Sequence, residues 1–224
     1  MSDGAPTTTR QGEVIPIPPS PRWLLRGERE RALEAMLSTC GELGYLHTTT
    51  DEVIERAGIT RTAFYAHFTG KEDCFIQAFG DLSEWVQARL AGVARRRPEP
   101  REALAAAFAE VLQMCANQPA YAKALIVEPL AAGGRVREEH DSLLDRLSEG
   151  LERVRGDVRA SMAPPPSSAS FTIGAIATSL RAKLIAGEAD QVPGMLPELL
   201  YLVTVLHLGE EPAAGRTTAV EPLS

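Results

Sequence analysis

Along the chain, apolar residues recur at helical spacing in a series of segments divided by glycine and proline. The first segment opens near Glu28 and places Ala32, Leu33, Ala35, Met36, Cys40 and Leu43 on one face. Gly44 follows, a residue suited to a left-handed C-cap. A short second helix has Thr49 or Thr50 as N-cap, with Glu52 three beyond Thr49 as in a capping box, and Val53, Ile54 and Ala57 turned inward. Gly58 ends it, and Thr60 caps a third helix through Arg61, Thr62, Ala63, Phe64, Tyr65, Ala66 and His67. Thr69 with Glu72 forms a second capping box, opening a long helix through Phe75, Phe79, Leu82, Trp85, Val86 and Leu90 that must stop by Pro98.

Beyond it, Pro100 starts a helix to about Asn117, Pro119 sits where a first-turn proline is tolerated, and Gly133-Gly134 separates two further helices. After Pro164-Pro165-Pro166, residues 167 to 187 and 194 to 208 make the last two. Periodicity is missing at both ends. Residues 1–27, with Pro16, Pro18, Pro19 and Pro21, read as a disordered arm, and 210–224 as a fraying tail. The organisation expected is 28–74 as a three-helix unit and 75–209 as a helical bundle.

Composition sharpens this into an all-α fold. At 224 residues and 44% hydrophobic the chain can bury a sizeable core, while aromatics stand at only 5% and the apolar bulk is mostly Ala and Leu, which favours helix over strand. The three cysteines, Cys40, Cys74 and Cys115, have no CxxC spacing, so neither a disulfide framework nor a zinc site is indicated, and a reducing cytoplasm fits. No charged-then-apolar leader opens the sequence and no apolar run is long enough to cross a bilayer, so membrane and export readings drop out. No metal or cofactor is expected.

Two short helices joined at Gly58, with a third ahead of them, have the build of a helix-turn-helix. Phe64 and Phe68, with Leu33, Val53, Ala57 and Ile59, supply a small core that fixes the angle between helices. The stretch Thr50-Asp-Glu-Val-Ile-Glu-Arg-Ala-Gly-Ile-Thr-Arg-Thr-Ala-Phe-Tyr-Ala-His-Phe-Thr-Gly-Lys-Glu resembles the DNA-binding signature of the tetracycline-repressor (TetR) family, over roughly Arg29 to Phe79. The remainder is similar only in helix pattern and length. Ile54, where relatives carry alanine, and Cys40, where phenylalanine is common, depart from the pattern but remain apolar, as a repacked core allows.

The resemblance implies a third helix in the major groove, with Arg61, Thr62 and Ala63 at the base edges. Arg61 has the fork to bond guanine, Thr62 can donate or accept, and Ala63 can meet a thymine methyl. Phosphates fall to Thr49, Thr50, Tyr65, His67 and Lys71. Net charge argues neither way: the whole chain carries -7, and residues 22–73 hold seven Arg or Lys against nine Asp or Glu. Few phosphate contacts per subunit are therefore expected. Arg10, Arg22 and Arg26 could reach an adjacent minor groove.

For the remainder, the resemblance implies a pocket for an unknown small-molecule effector. Large or polar groups on apolar faces single out Trp85, Arg89, Phe108, Leu112, Cys115, Tyr121 and His140 as its wall. The final helix is apolar nearly all round, and small residues beside Ile176, Leu180 and Leu184 permit close helix approach. With Leu199, Val203 and Leu206 they predict a two-fold four-helix homodimer interface, and hence a near-palindromic double-stranded operator. The reading is a repressor released by its ligand. The alternatives are a non-specific DNA-binding helical dimer without an effector and, from another class, an enzyme; for the latter the sequence holds no Gly-rich phosphate loop, HExxH or nucleophile elbow.

Overall fold

The structure, a computed structural model, describes residues 27–156, 165 and 167–208. The expectations for the arm and the tail, with Arg10, Arg22 and Arg26, lie outside the described residues. Among the described residues the chain is helical throughout, without a strand: α1 Glu28–Leu43, α2 Thr50–Ala57, α3 Arg61–His67, α4 Lys71–Ala94, α5 Pro100–Asn117, α6 Pro119–Ile126, α7 Glu128–Ala132, α8 Gly134–Gly156, α9 Ser168–Ile185 and α10 Leu196–Val203. A 3-10 turn, Ala189–Met195, leads into α10, and a π-helical turn, Thr204–Leu208, prolongs it.

Local chemistry sets the head. Thr49 and Glu52 form the reciprocal capping box of α2, and Gly58 ends that helix at φ 61° and ψ 41°, a left-handed conformation that glycine adopts without steric cost. Thr60 caps α3 by accepting from the Ala63 N–H. Two expectations need correction. Gly44 has positive φ but an extended ψ of 147°, so it turns the chain out of α1 rather than closing it in a left-handed cap. Thr69 does not box with Glu72; its N–H and hydroxyl both donate to the Asp73 carboxylate, one residue further on, which holds that carboxyl below its usual range.

α1 is the axis of the assembly. Its buried residues, Ala32, Leu33, Ala35, Met36, Leu37, Thr39, Cys40 and Gly41, cover more than one stripe because α1 lies against α2, α4 and α6 at once. At Gly41 the approach is closest: a Cβ there would stand 1.9 Å from the Ala120 carbonyl oxygen at the start of α6. Phe64 and Phe68, ring centroids 5.1 Å apart, complete a core with Val53 and Ala57.

α4 ties the head to the rest. Its first turns bury Cys74, Phe75 and Phe79 in the core containing Leu33 and Met36, and its next turns carry Leu82 and Val86 into the bundle. The 74/75 division drawn on the sequence falls inside this one helix of about 36 Å. Pro129 accompanies a further break at Val127, so the stretch between Pro119 and Gly133 is two helices, α6 and α7.

Candidate functional site

The solvent face of the head is built on α3. Phe64 is fully buried and anchors the helix, which leaves Arg61, Thr62, Tyr65 and His67 exposed and Ala63 half-buried. Arg61 at the first position of α3 is ion-paired to Asp51 in the first turn of α2, with both side chains mostly in solvent. That pair aims the guanidinium across the two helix starts. For the guanidinium to engage any other partner, Asp51 must release or share it.

The residues expected at phosphates behave differently. Tyr65, Thr50 and His67 lie on or beside the exposed face. Thr49 gives its single hydroxyl proton to Glu52 (2.9 Å) and accepts from the Glu52 N–H (3.2 Å), so its donor is consumed by the cap. Lys71 is also engaged inside the protein: its ammonium donates to the carbonyls of Tyr45 (2.9 Å) and Thr48 (3.0 Å) and sits 4.3 Å from the Tyr45 ring centroid. Arg29 reaches Gln77 on α4, Arg31 donates to the Ala57 carbonyl at the end of α2, and Arg56 pairs with Glu42. Most cationic groups of the head therefore hold its helices together. Helical periodicity gave no sign of these long-range bonds.

The α1–α2 loop is clasped from the other side by the bundle. Glu128, buried at the start of α7, accepts from the Tyr45 N–H at 2.6 Å. With Lys71 on the Tyr45 carbonyl, both backbone polar groups of one loop residue are held, the carbonyl by α4 and the N–H by α7. Sequence reasoning missed Glu128; an acidic residue before Pro129 in an apolar stretch was its one local signal.

Within the bundle lies a cavity of about 660 Å³ between α4, α5, α6, α8 and α9. Of the residues expected on its wall, Phe108 and His140 line it. The others do not. Leu112 and Cys115 are buried in a core with Leu184 and Leu199, Trp85 and Tyr121 pack against the α1 core, and Arg89 is paired with Glu110 at 2.6 Å in a separate groove between α4 and α5. The wall is made instead by smaller apolar residues that periodicity cannot tell from core, such as Leu90, Val111, Met114, Leu125, Leu147 and Ile176. Burial lowers the pKa of His140, against the opposing pull of Asp141 at 3.5 Å, and so favours a neutral imidazole there. Burial pushes the Cys40 and Cys115 thiols up to about 12, which removes them as nucleophiles.

The expected subunit face also needs correction. Leu180, Leu184, Leu199 and Val203 are buried within the protomer, and Ile176 packs against the same cores; only Leu206 of the six is exposed. α9 has a second stripe on its outer side. Phe171, Ala175, Thr178, Ala182 and Ile185, spaced alternately four and three apart, are all exposed, beside exposed Tyr201, Leu202 and Val205. His207, fully buried, meets Thr172 at 2.9 Å and fastens the last turn to α9.

Residues 33–78 match the model of bacterial regulatory proteins, tetR family. No curated protein matches the sequence significantly. Among solved structures, the fold is similar to that of the fatty acid degradation regulator FadR of Bacillus halodurans (TM-score 0.69, 14% identity, covering 79% of this chain and 94% of that one). It is similar also to SmeT, repressor of the multidrug efflux pump SmeDEF of Stenotrophomonas maltophilia (0.66, 21%, 88% and 97%). A TetR-family regulator of Streptomyces coelicolor is a third (0.67, 15%, 89% and 98%). The matched segment starts within α1, ends in the head-facing part of α4 and includes every residue of the α3 face, so the head of this chain is similar to the tetR family of bacterial regulatory proteins, and the bundle is similar to those structures in fold.

Proposed function

We propose that the protein is a homodimeric repressor that binds a near-palindromic operator through α3 and releases it when a small molecule enters the bundle. The observation that carries this reading is the double hold on the α1–α2 loop. Glu128 reaches that loop from α7, one residue beyond Val127 and two beyond the cavity-lining Ile126. A ligand that shifts the end of α6 moves the acceptor of the Tyr45 N–H and the support of α2, and through α2 the Asp51 that aims Arg61. Such coupling is reciprocal, so operator DNA weakens ligand binding by the factor by which ligand weakens DNA binding.

Two further features support the reading. The exposed stripe of α9 with the outer residues of α10 is an apolar face of the kind that two copies bury together, and its alanines allow close helix approach. Among similar folds, SmeT is a repressor and FadR of Bacillus subtilis was solved with stearoyl-CoA bound. No group of three His, Cys, Asp or Glu among the described residues could hold a metal. No described helix is long and apolar enough to cross a membrane.

The test is selection of bound sequences from a random duplex pool at fixed salt. An enriched palindrome supports a specific dimeric regulator. No enrichment from folded, dimeric protein, with affinity falling steeply in salt, favours a non-specific binder instead.

A further inference from the structure

The chemistry of the cavity wall goes further, to the class of ligand. The lining residues of α8 include His140, Leu143, Leu147, Leu151 and Val154, a single inner stripe that rises about 21 Å along the helix. The cavity is therefore long and runs lengthwise through the bundle. Its head-proximal end is marked by Leu143, which packs in the core of Phe75 and Phe79, and its distal end by Leu104 and Leu151, which pack with Ala169. One acyl chain fills about half of the roughly 30 Å hydrocarbon core of a bilayer, or about 15 Å, so the length suits one extended chain and a head group.

The charged lining residues are all of one sign. Among the described residues Arg95, Arg146 and Arg153 line the cavity, and no described Asp or Glu does. All three are exposed, on the α4–α8 side. There Arg146 donates to Gln87 across the gap at 3.1 Å, and the Arg153 guanidinium lies over Gly150. Arg95 and Arg153 stand eight and seven residues beyond that bridge, at the distal end. At the other end His140 lines the cavity together with Met114, Leu125 and Ile126, and none of the three lining arginines stands there, although Arg137 and Arg181 lie near enough to His140 to help lower its pKa.

We propose that this cavity binds an aliphatic chain carrying an anionic head, the head held at the rim by Arg95 and Arg153 and the tail directed toward His140 and the end of α6. The proposal rests on the effector reading above, for which it supplies the ligand. Each methylene buried in the apolar length tightens binding by about fourfold until the chain reaches the His140 end. Two sources share this chemistry, a free carboxylate and an acyl thioester whose phosphates carry the charge.

The experiment titrates full-length protein by calorimetry, below micellar concentrations, with straight-chain carboxylates of increasing length, their coenzyme A thioesters, and alkylammonium ions of matched length. Affinity for the anions is expected to rise with length and then level off, with the cations about 10-fold weaker or worse. Tighter binding of carboxylate or of thioester identifies the source. The surface double variant R95E/R153E should lose about 10-fold for anions of every length, whereas M114W should move the plateau to shorter chains. Both are compared after circular dichroism shows native helix content. Equal binding of cation and anion, or affinity independent of length, overturns the proposal, as does absence of anion binding by folded protein. Release of selected DNA is scored in the same samples: chain binding without release keeps the ligand class and sinks the repressor reading, while release by an unrelated compound with no chain binding does the reverse.

Discussion

The head and the bundle use apolar residues in opposite ways. In the head, Leu33, Met36, Val53, Phe64 and Phe75 have no exposed surface and meet in one filled core. In the bundle, Leu90, Phe108, Val111 and Leu147 are only partly buried and surround open space. The head is packed to present α3 at one angle. The bundle leaves part of its hydrophobic surface unpaired, and that surface is available to a guest.

The largest effect that sharpens this contrast is expected from Phe64→Ala, which empties a filled site and should cost about 3–5 kcal/mol. Phe108→Ala, enlarging a space that already exists, should cost clearly less. Urea unfolding of both variants checks this; equal losses would mean that the bundle is as tightly packed as the head. Next comes the contact between the two regions. Gly41→Ala forces a Cβ against the Ala120 carbonyl and should destabilise by about 1–3 kcal/mol or more. Gly92→Ala, with nothing within 4 Å of its Cβ, should stabilise α4 by up to about 1 kcal/mol. The same sign at both positions would refute the close approach.

On DNA, Arg61→Ala should cost about 1–3 kcal/mol and relax one operator position. Lys71→Ala should instead lower the melting temperature and weaken all sequences alike. The salt slope should stay the same, because its ammonium holds the Tyr45 and Thr48 carbonyls. A slope smaller by about 0.9 would return Lys71 to the phosphates.

The smallest effect is a pH dependence. His140 has its pKa lowered on folding by burial, with Arg137 and Arg181 adding to the shift and Asp141 opposing it. Its contribution is full above the unfolded value near 6.5 and is lost as pH falls from there toward the folded value, at no more than about 1.4 kcal/mol per pH unit. Glu42, Glu52 and Asp73, held low chiefly by their hydrogen bonds to Arg56, Thr49 and Thr69, lose theirs only in stronger acid. Melting curves between pH 7 and 5 for the wild type and His140→Gln separate the two; parallel curves would show that His140 does not titrate on folding.

What was legible in the sequence was local. Thr49 with Glu52, Gly58, and Thr60 ahead of Arg61 each act within one turn, so their spacing carries their role, and the helix-turn-helix followed. Hydrophobic periodicity shows that a face is apolar, not what covers it. Leu180 and Leu199 were assigned to a partner subunit and are covered by their own chain, while the stripe left open on α9 is lined by the less conspicuous Ala175, Thr178 and Ala182. Size misled similarly at the cavity, where Trp85 and Leu112 are core. Lys71 and Glu128 act across 26 and 83 residues of sequence, beyond any local rule.

The paired seams at Gly41–Ala120 and Glu128–Tyr45 also bear on modular exchange. A hybrid joined within α4, with this head grafted onto a foreign bundle, keeps Gly41 and Tyr45 but loses the backbone that Gly41 was shaped to meet and the carboxylate that Tyr45 donates to. Under the proposed repressor mechanism, such a graft would recognise the original operator yet be deaf to the new bundle's ligand. Restoring a carboxylate at the position of Glu128, with a matching helix crossing at Gly41, is the minimum repair that returns its hearing.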